Sequence, residues 1–290
     1  MATIRERGYY HWDGRLEDKR VPWWPITRTG IQLAFRKRFF KFFFAWAFLP
    51  SVVALAFVYI SERLEDFKSM VGSTKRLITV DPKFFTGYMS HDALLFFIIL
   101  VLVFAGAGLI ADDLKHNSLQ VYFSRPLRKK DYLVGKMSVV FFFVLTLTLL
   151  PALLVFLFKL IFAGSFKFFL DYPWIILSIV AYAVLLTVFL AFYTLLLSAL
   201  SKNSRYVMIQ IFMVYVFSDV LYGITFSIFR TPYMALFSIK ENLQQVAAFM
   251  FLQKPAHPVP VGWSFLILAA LCVVSASVLN RKIRGVEVIR

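Results

Sequence analysis

Long runs of apolar residues, separated by short polar segments, dominate the hydrophobic pattern of this chain. Six runs are long enough to cross a bilayer as helices, because about 20 apolar residues span the hydrocarbon core. The runs are apolar on every side, whereas membrane β-strands are shorter and alternate in polarity. The pattern therefore predicts an all-α integral membrane protein with six transmembrane helices at residues 42–60, 93–111, 137–163, 174–200, 206–229 and 261–279.

Several residues inside or beside these runs carry their own predictions. Asp219 lies within the fifth span, where an unpaired charge is costly. It either lines a translocation path or is a paired or protonated structural residue, and the second interpretation is preferred. Lys159 in the third span is expected to extend its amino group to the interface. Pro151 predicts a kink, and the small residues 105–108 predict a close helix contact.

The distribution of lysine and arginine predicts the orientation. Of 32 such residues, 22 flank the side that holds both termini and nine lie on the opposite side. The side rich in lysine and arginine is normally cytoplasmic, so both termini are predicted to be cytoplasmic. The formal net charge of +16 is explained by this flanking charge, and no nucleic-acid partner is expected. The predicted organisation is a cytoplasmic segment (1–41), a six-span domain (42–279) and a short cytoplasmic tail (280–290).

Two polar segments show helical patterns outside the spans. Residues 25–41 mix basic and aromatic residues, which fits either an interfacial helix on the cytoplasmic leaflet or a simple extension of the first span. Residues 230–260 form the long loop on the predicted outer side. There Thr231 and Pro232 predict a helix start, with an amphipathic helix that is broken near its start. Its apolar positions are Leu236, Ile239, Leu243, Val246 and Met250.

Residues 111–137, between the second and third spans, combine a short helix, a stop and a basic run. Leu119, Tyr122 and Phe123 follow helical spacing and form one apolar face. Pro126 ends this helix, because proline pushes the preceding residue towards extended backbone. The pattern predicts an apolar cluster exposed in a cytoplasmic loop. The basic residues that follow are Arg128, Lys129 and Lys130.

This loop resembles the one that joins spans two and three in ABC transporter permeases of the type-2 exporter class. In that family, acidic residues precede a small residue and a leucine, and a short helix, Ser-Arg-Pro, basic residues and Leu-x-Gly-Lys follow. The family usually has Gly-Thr or Gly-Ser before the leucine, whereas this chain has Asn117 and Ser118. The matching residues are Asp112, Asp113, Ser118, Leu119, Ser124, Arg125, Pro126, Leu133, Val134, Gly135 and Lys136.

The resemblance implies that the loop is a coupling helix, which docks in a cleft of a separate ATP-binding subunit. It implies a complex with that ATPase and with a second permease, either another copy or a related chain. ATP and Mg would be bound by the ATPase and no cofactor by this chain, which would be a multi-pass protein of a prokaryotic plasma or inner membrane. The implied coupling residues are Ser118, Leu119, Tyr122, Phe123, Ser124, Arg125 and Pro126, with Arg128, Lys129 and Lys130 at the rim.

The same class commonly has short re-entrant or interfacial helices between spans five and six, which close the outer exit. The resemblance thus implies that the 230–260 helix acts as an outer gate. The alternative is a helix that rests passively on lipid.

Other function classes were weighed against the residue pattern. The sequence contains neither a G-x-x-x-x-G-K-[ST] phosphate loop nor a metal-spaced histidine or cysteine cluster, so the chain is not expected to be an enzyme. An ion-gradient-driven carrier or channel subunit would carry several acidic residues within its spans, and only Asp219 fits. A membrane scaffold without transport is the third alternative. The prediction is the permease subunit of an ATP-binding-cassette exporter.

Overall fold

A computed structural model describes residues 21–71, 80–123, 127–164 and 166–284. Throughout these residues the regular structure is helical and contains no strand. The α-helices are α1 (Trp24–Arg36), α2 (Arg38–Trp46), α3 (Leu49–Val71), α4 (Pro82–Met89), α5 (Asp92–Gly106), α6 (Gly108–Lys115), α7 (Ser118–Phe123), α8 (Lys129–Leu147), α9 (Leu149–Ala163), α10 (Lys167–Asp171), α11 (Trp174–Leu200), α12 (Ser204–Phe229), α13 (Ile239–Met250) and α14 (Val261–Arg284), with a 3₁₀ helix at Pro232–Phe237.

The prediction of six transmembrane helices is confirmed, because each predicted span lies within an observed apolar helical segment. With six spans, both ends of the described chain lie at the same end of the bundle. This end is called the termini end, and it also holds the loop between spans two and three. The spans are Arg38–Glu62, Pro82–Lys115, Lys129–Ala163, Trp174–Leu200, Ser204–Phe229 and Val261–Lys282.

Burial divides the spans into a centre and a periphery. Spans two, three and four have 67%, 56% and 56% of their most apolar window buried within the chain. For spans one, five and six the values are 22%, 17% and 17%. Span four (α11) packs against α8, α9, α12 and α14 and so holds the bundle together. The peripheral spans leave broad apolar faces for lipid or for another protein.

Small residues let spans two and four approach closely, as predicted. A Cβ on Gly106 would lie 2.2 Å from Cγ2 of Thr194. At this point span two is interrupted between α5 and α6. Ser198 of span four bonds the interrupted backbone, donating to the Ala107 carbonyl (2.8 Å) and accepting from the Ile110 amide (2.9 Å). The freed backbone groups of span two therefore have partners inside the bundle, as the bilayer interior requires.

Span three contains the predicted kink and a buried lysine that has an acidic partner. The helix breaks at Thr148 between α8 and α9, one turn before Pro151, whose ring interferes with the preceding turn. Lys159 is buried within the chain and forms an ion pair with Glu62, the last residue of span one. Its amino group also lies 5.3 Å from the ring centre of Phe168. The carboxylate of Glu62 thus compensates the charge of Lys159 inside the bundle.

Candidate functional site

The ends of spans two and three are joined at the termini end by a buried ion pair. Asp113 and Lys136 lie 2.7 Å apart, with side chains 13% and 10% exposed. The Tyr132 hydroxyl donates to the same oxygen of Asp113 at 2.7 Å. The amino group of Lys136 lies 5.4 Å from the ring centre of Tyr132 and 5.9 Å from that of Tyr122, within cation–π range. These contacts hold the two span ends and the loop between them as one unit.

Helix α7, the predicted coupling helix, packs on this unit. Leu119 is 1% exposed and forms a small apolar cluster with Ile26 of α1 and Tyr132 of α8. The ring of Tyr122 is half-buried, 5.5 Å from that of Tyr132. The prediction of an exposed apolar face is therefore wrong for Leu119 and only partly right for Tyr122. The reason is that Ile26 of α1, which is distant in sequence, packs against Leu119 and covers it.

The remaining predicted coupling residues are described only in part. Ser118 begins α7 and is half-buried, and Phe123 ends it. The side chain of Phe123 lies outside the described part of the structure, as do Ser124, Arg125 and Pro126. Their role in coupling stays a prediction.

Exposed polar residues lie on α7 at Gln120 and just before it, at the end of α6 and in the turn between the two helices. Lys115, His116, Asn117 and Gln120 are exposed there. In the predicted basic rim, Arg128 and Lys130 are exposed and Lys129 is half-buried. Burial raises the pKa of Tyr122, and the charge of Asp113 raises it further, so its hydroxyl stays protonated. The exposed residues described in this loop are thus polar or basic, and they adjoin the buried contacts among Asp113, Lys136 and Tyr132.

The N-terminal segment forms a separate helix, α1, which packs against α8. The Thr27 hydroxyl donates to the Gly135 carbonyl at 3.0 Å. A Cβ on Gly135 would lie 2.9 Å from Cβ of Ile26 and 3.0 Å from the carbonyl oxygen of Trp23. The chain is extended at Lys37, between α1 and α2. The interpretation of residues 25–41 as a simple extension of span one is therefore wrong. The separate helix α1 contacts α7 through Ile26 and Leu119.

At the opposite end of the bundle, residues 230–250 turn back into it as a hairpin. The backbone amide of Ile239 donates to the Ser218 hydroxyl at 3.3 Å. The Ser238 hydroxyl donates to Asp219 at 3.2 Å. Ser218 lies eleven residues before Phe229, the last residue of α12, which is about 16 Å along a helix. The 3₁₀ helix therefore runs inwards, the chain turns at Ser238, and α13 returns outwards. This segment, 230–250, is called the re-entrant hairpin.

The predicted apolar face of α13 is confirmed, but its polar residues do not face solvent. Leu243 and Val246 are buried in the main core, while Leu236, Ile239 and Met250 are half-buried. Asn242 and Gln245, expected on other faces, are 1% and 3% exposed. Gln245 donates to the Val259 carbonyl at 2.6 Å and Asn242 to the Leu236 carbonyl at 2.8 Å. This burial does not fit a helix that rests passively on lipid.

Charged residues from three elements meet at Lys240 in the first turn of α13. Its amino group lies 3.0 Å from Asp219 of span five, 3.4 Å from Asp92 of span two and 3.6 Å from Glu241. His257, in the segment before span six, contacts Glu241 at 3.0 Å. These five residues are called the Lys240 cluster. The interpretation of Asp219 as a paired residue is confirmed, and its place on a translocation path stays a prediction.

The balance of charge in this cluster favours the protonated lysine. Burial lowers the pKa of Lys240, but the hydrogen bond that its amino group donates to Asp219 and the charges of Asp92, Asp219 and Glu241 outweigh it and raise the pKa overall. Asp92 is available to the cluster because His91, rather than Asp92, caps α5 by accepting from the Ala93 amide. Asp92 also accepts a hydrogen bond of 2.6 Å from Gln244.

Residues 30–270 match the sequence model of a family described as ABC-2 family transporter protein. The chain belongs to the ABC-2 transporter family. The match includes the loop between spans two and three and the re-entrant hairpin, and it confirms the resemblance stated from the loop. No curated protein gives a significant match. As an ABC-2 family member, the chain is a multi-pass membrane protein with a permease-type role in transport.

Some contacts of this ABC-2 chain were not foreseen from its sequence. Asp113 and Lys136 were named only as matches to the loop pattern, although opposite charges at adjoining span ends could have suggested a pair. Ile26 and Tyr132 carried no signal, because an apolar residue beside a membrane span is ordinary. His257 carried no signal either, since nothing in a proline-rich segment indicates that the chain returns to Glu241.

Proposed function

We propose that this chain is the membrane-spanning permease of an ATP-driven exporter, which couples to a separate ATP-binding subunit through α7. The observation that carries the proposal is that Asp113, Lys136 and Tyr132 join the ends of spans two and three. Leu119 and Tyr122 of α7 pack against Tyr132 of this unit. A movement imposed on α7 reaches both spans directly, because a buried ion pair joins them. ABC-2 permeases typically pair with an ATP-binding subunit, and ATP and Mg would be bound there.

The exposed side of α7, which carries Gln120, is the surface that would enter the partner's cleft. Replacing Gln120 by tryptophan adds bulk without disturbing the buried contacts. We expect the variant to fold normally but to lose at least about tenfold in affinity for the ATPase, the scale of a disrupted interface hot spot. The measurement is pull-down of the ATPase together with transport by the purified complex.

The matched control for Gln120→Trp is Lys254→Trp, which places the same bulk on an exposed residue at the opposite end. Normal ATPase binding and transport by Gln120→Trp would refute the assignment of α7.

The wild-type complex also tests how many permeases assemble. The low burial of spans one, five and six supports a second permease, identical or related, and native mass spectrometry should find two permeases. One permease per active complex would contradict this.

The proposed orientation places the termini end in the cytoplasm of a prokaryotic cell. It follows from the excess of lysine and arginine at that end. Single cysteines at Arg128 and Lys254, exposed at opposite ends, in a Cys272→Ser background should react from opposite sides. An impermeant thiol reagent outside intact cells should label position 254 only. Labelling at position 128 from outside would reverse the orientation.

A further inference from the structure

The two sides of the re-entrant hairpin are attached to the bundle by different forces. One side, at its tip, carries polar and charged residues that bond to spans two and five. The other side carries the apolar face of α13, which packs against spans four and six. This division is independent of the proposed gating role, since it follows from which residues contact which span.

The polar attachment is made at the tip and along one edge of α13. Lys240 bridges Asp219 of span five and Asp92 of span two. Ser238 and the backbone of Ile239 bond to span five. Gln244 donates to the Ser90 carbonyl at 3.0 Å, next to the start of α5. The side chains of Asp219 and Asp92 are 36% and 63% exposed, so the acidic partners of Lys240 remain partly open to their surroundings.

The apolar attachment is more deeply buried. Leu243, Val246 and Ala247 are at most 1% exposed within the main core. Helix α13 packs along α11 and α14 and also contacts α12 of span five, where its first turn makes the polar bonds described above. The Ser178 hydroxyl of span four donates to the Met250 carbonyl at 2.6 Å. Separating this side would expose buried apolar surface and leave backbone groups unpaired, whereas partly exposed ion pairs exchange their partners for water at small cost.

We propose that Lys240 is the positioning residue of a releasable attachment, through which the tip of the hairpin separates from spans two and five while α13 stays on spans four and six. This rests on the proposed function, in which the outer ends of the spans must part to release cargo. The three acidic partners of Lys240 come from two spans and from α13 itself. Movement of spans two and five away from α13 therefore breaks the contacts of Lys240 with Asp219 and Asp92 and leaves its contact with Glu241.

Hydrogen–deuterium exchange of the purified chain in lipid nanodiscs tests the attachment. In Lys240→Met, amides of the tip, such as Ile239 and Glu241, which bond to serine hydroxyls, should exchange about tenfold faster, because a charge-assisted anchor is lost. Amides of the last turn, such as Phe251 and Gln253, which bond to backbone carbonyls, should be unchanged. The control Lys254→Met removes an exposed lysine of the same loop and should match the wild type.

Two further variants separate the attachment from a general loss of fold. Lys240→Asp should expose the tip, and Lys240→Asp combined with Asp219→Lys should restore its protection, because the cluster regains one cation among three acidic groups. Unchanged exchange in Lys240→Met, or equal acceleration at the tip and in the last turn, would overturn the proposal. So would failure of the exchanged pair to restore protection while the last turn stays protected.

The assembled complex then tests release during transport. With ATP and the ATPase present, the tip of the wild-type hairpin should exchange faster than in the resting complex, with the last turn unchanged. Transport with a tip that stays fully protected would overturn release. If no ATPase binds or no transport occurs, the proposed function fails, but exchange by the chain alone still decides whether Lys240 holds the tip.

Discussion

Replacing Asp113 by alanine should cost about 3–5 kcal/mol of stability, the usual penalty for removing one partner of a buried ion pair. The amino group of Lys136 would remain in a nearly closed site, with its side chain 10% exposed, and without its carboxylate. The Tyr132 hydroxyl would lose its acceptor as well. We expect a lower melting temperature in detergent and, in the assembled complex, loss of transport, because α7 would no longer be tied to spans two and three.

Two variants control for Asp113→Ala. Asp112→Ala removes the neighbouring carboxylate of the loop pattern while keeping the Asp113–Lys136 pair, and it should have a much smaller effect. The double variant Asp113→Leu with Lys136→Met replaces both charges by apolar side chains of similar size. It should recover most of the stability, because an apolar pair often substitutes for a buried ion pair without loss. Equal stability of Asp113→Ala and the wild type would show that the pair is not a structural link.

The six spans could be predicted from the sequence because the bilayer makes a strong demand on composition. A run such as 174–200 must be apolar on all sides and helical to cross, so composition alone determined both ends of span four, Trp174 and Leu200. The kink near Pro151 was predictable for a similar reason, since proline acts on its own helix. The spans and the kink could therefore be predicted, because each depends only on the residues of its own segment.

Contacts between distant segments were not predictable in the same way. Lys159 offers no sequence signal that its partner is Glu62, because the pair is formed by the packing of two spans. The apolar face of α7 was recognised, but not that Ile26 of the N-terminal helix covers Leu119. Helical spacing tells which residues share a face and leaves open what that face contacts.

The re-entrant hairpin shows the same limit at larger scale. Spacing predicted the apolar positions of α13, including Leu243 and Val246, and both are buried. The polar residues fall on other faces of the helix, and spacing did not reveal that Gln245 and Asn242 are buried and bonded to backbone carbonyls. A polar residue in a loop is ordinarily solvated, so only the folded path of the chain reveals that these residues have partners inside the protein.

The second large effect is expected at Gly135, where α8 lies directly against α1. A valine there would place its Cβ 2.9 Å from Cβ of Ile26 and 3.0 Å from the carbonyl oxygen of Trp23. A backbone oxygen cannot rotate away as a flexible side chain can, so α1 must shift. Overpacking of this kind costs about 1–3 kcal/mol. The shift would also break the hydrogen bond from Thr27 to the Gly135 carbonyl.

The consequence of Gly135→Val should reach the coupling loop, because Ile26 belongs to the cluster that buries Leu119. We expect faster proteolysis near α7 and weaker ATPase binding, with the six spans still inserted. Gly223→Val is the matched control, since a Cβ at Gly223 meets no atom within 4 Å. Leaving glycine also favours a helix by up to about 1 kcal/mol, so Gly223→Val should be neutral or slightly stabilising. Equal ATPase binding by the two variants would show that α1 does not position α7. A selective loss at Gly135 would instead mean that the N-terminal helix sets the angle at which α7 meets its partner.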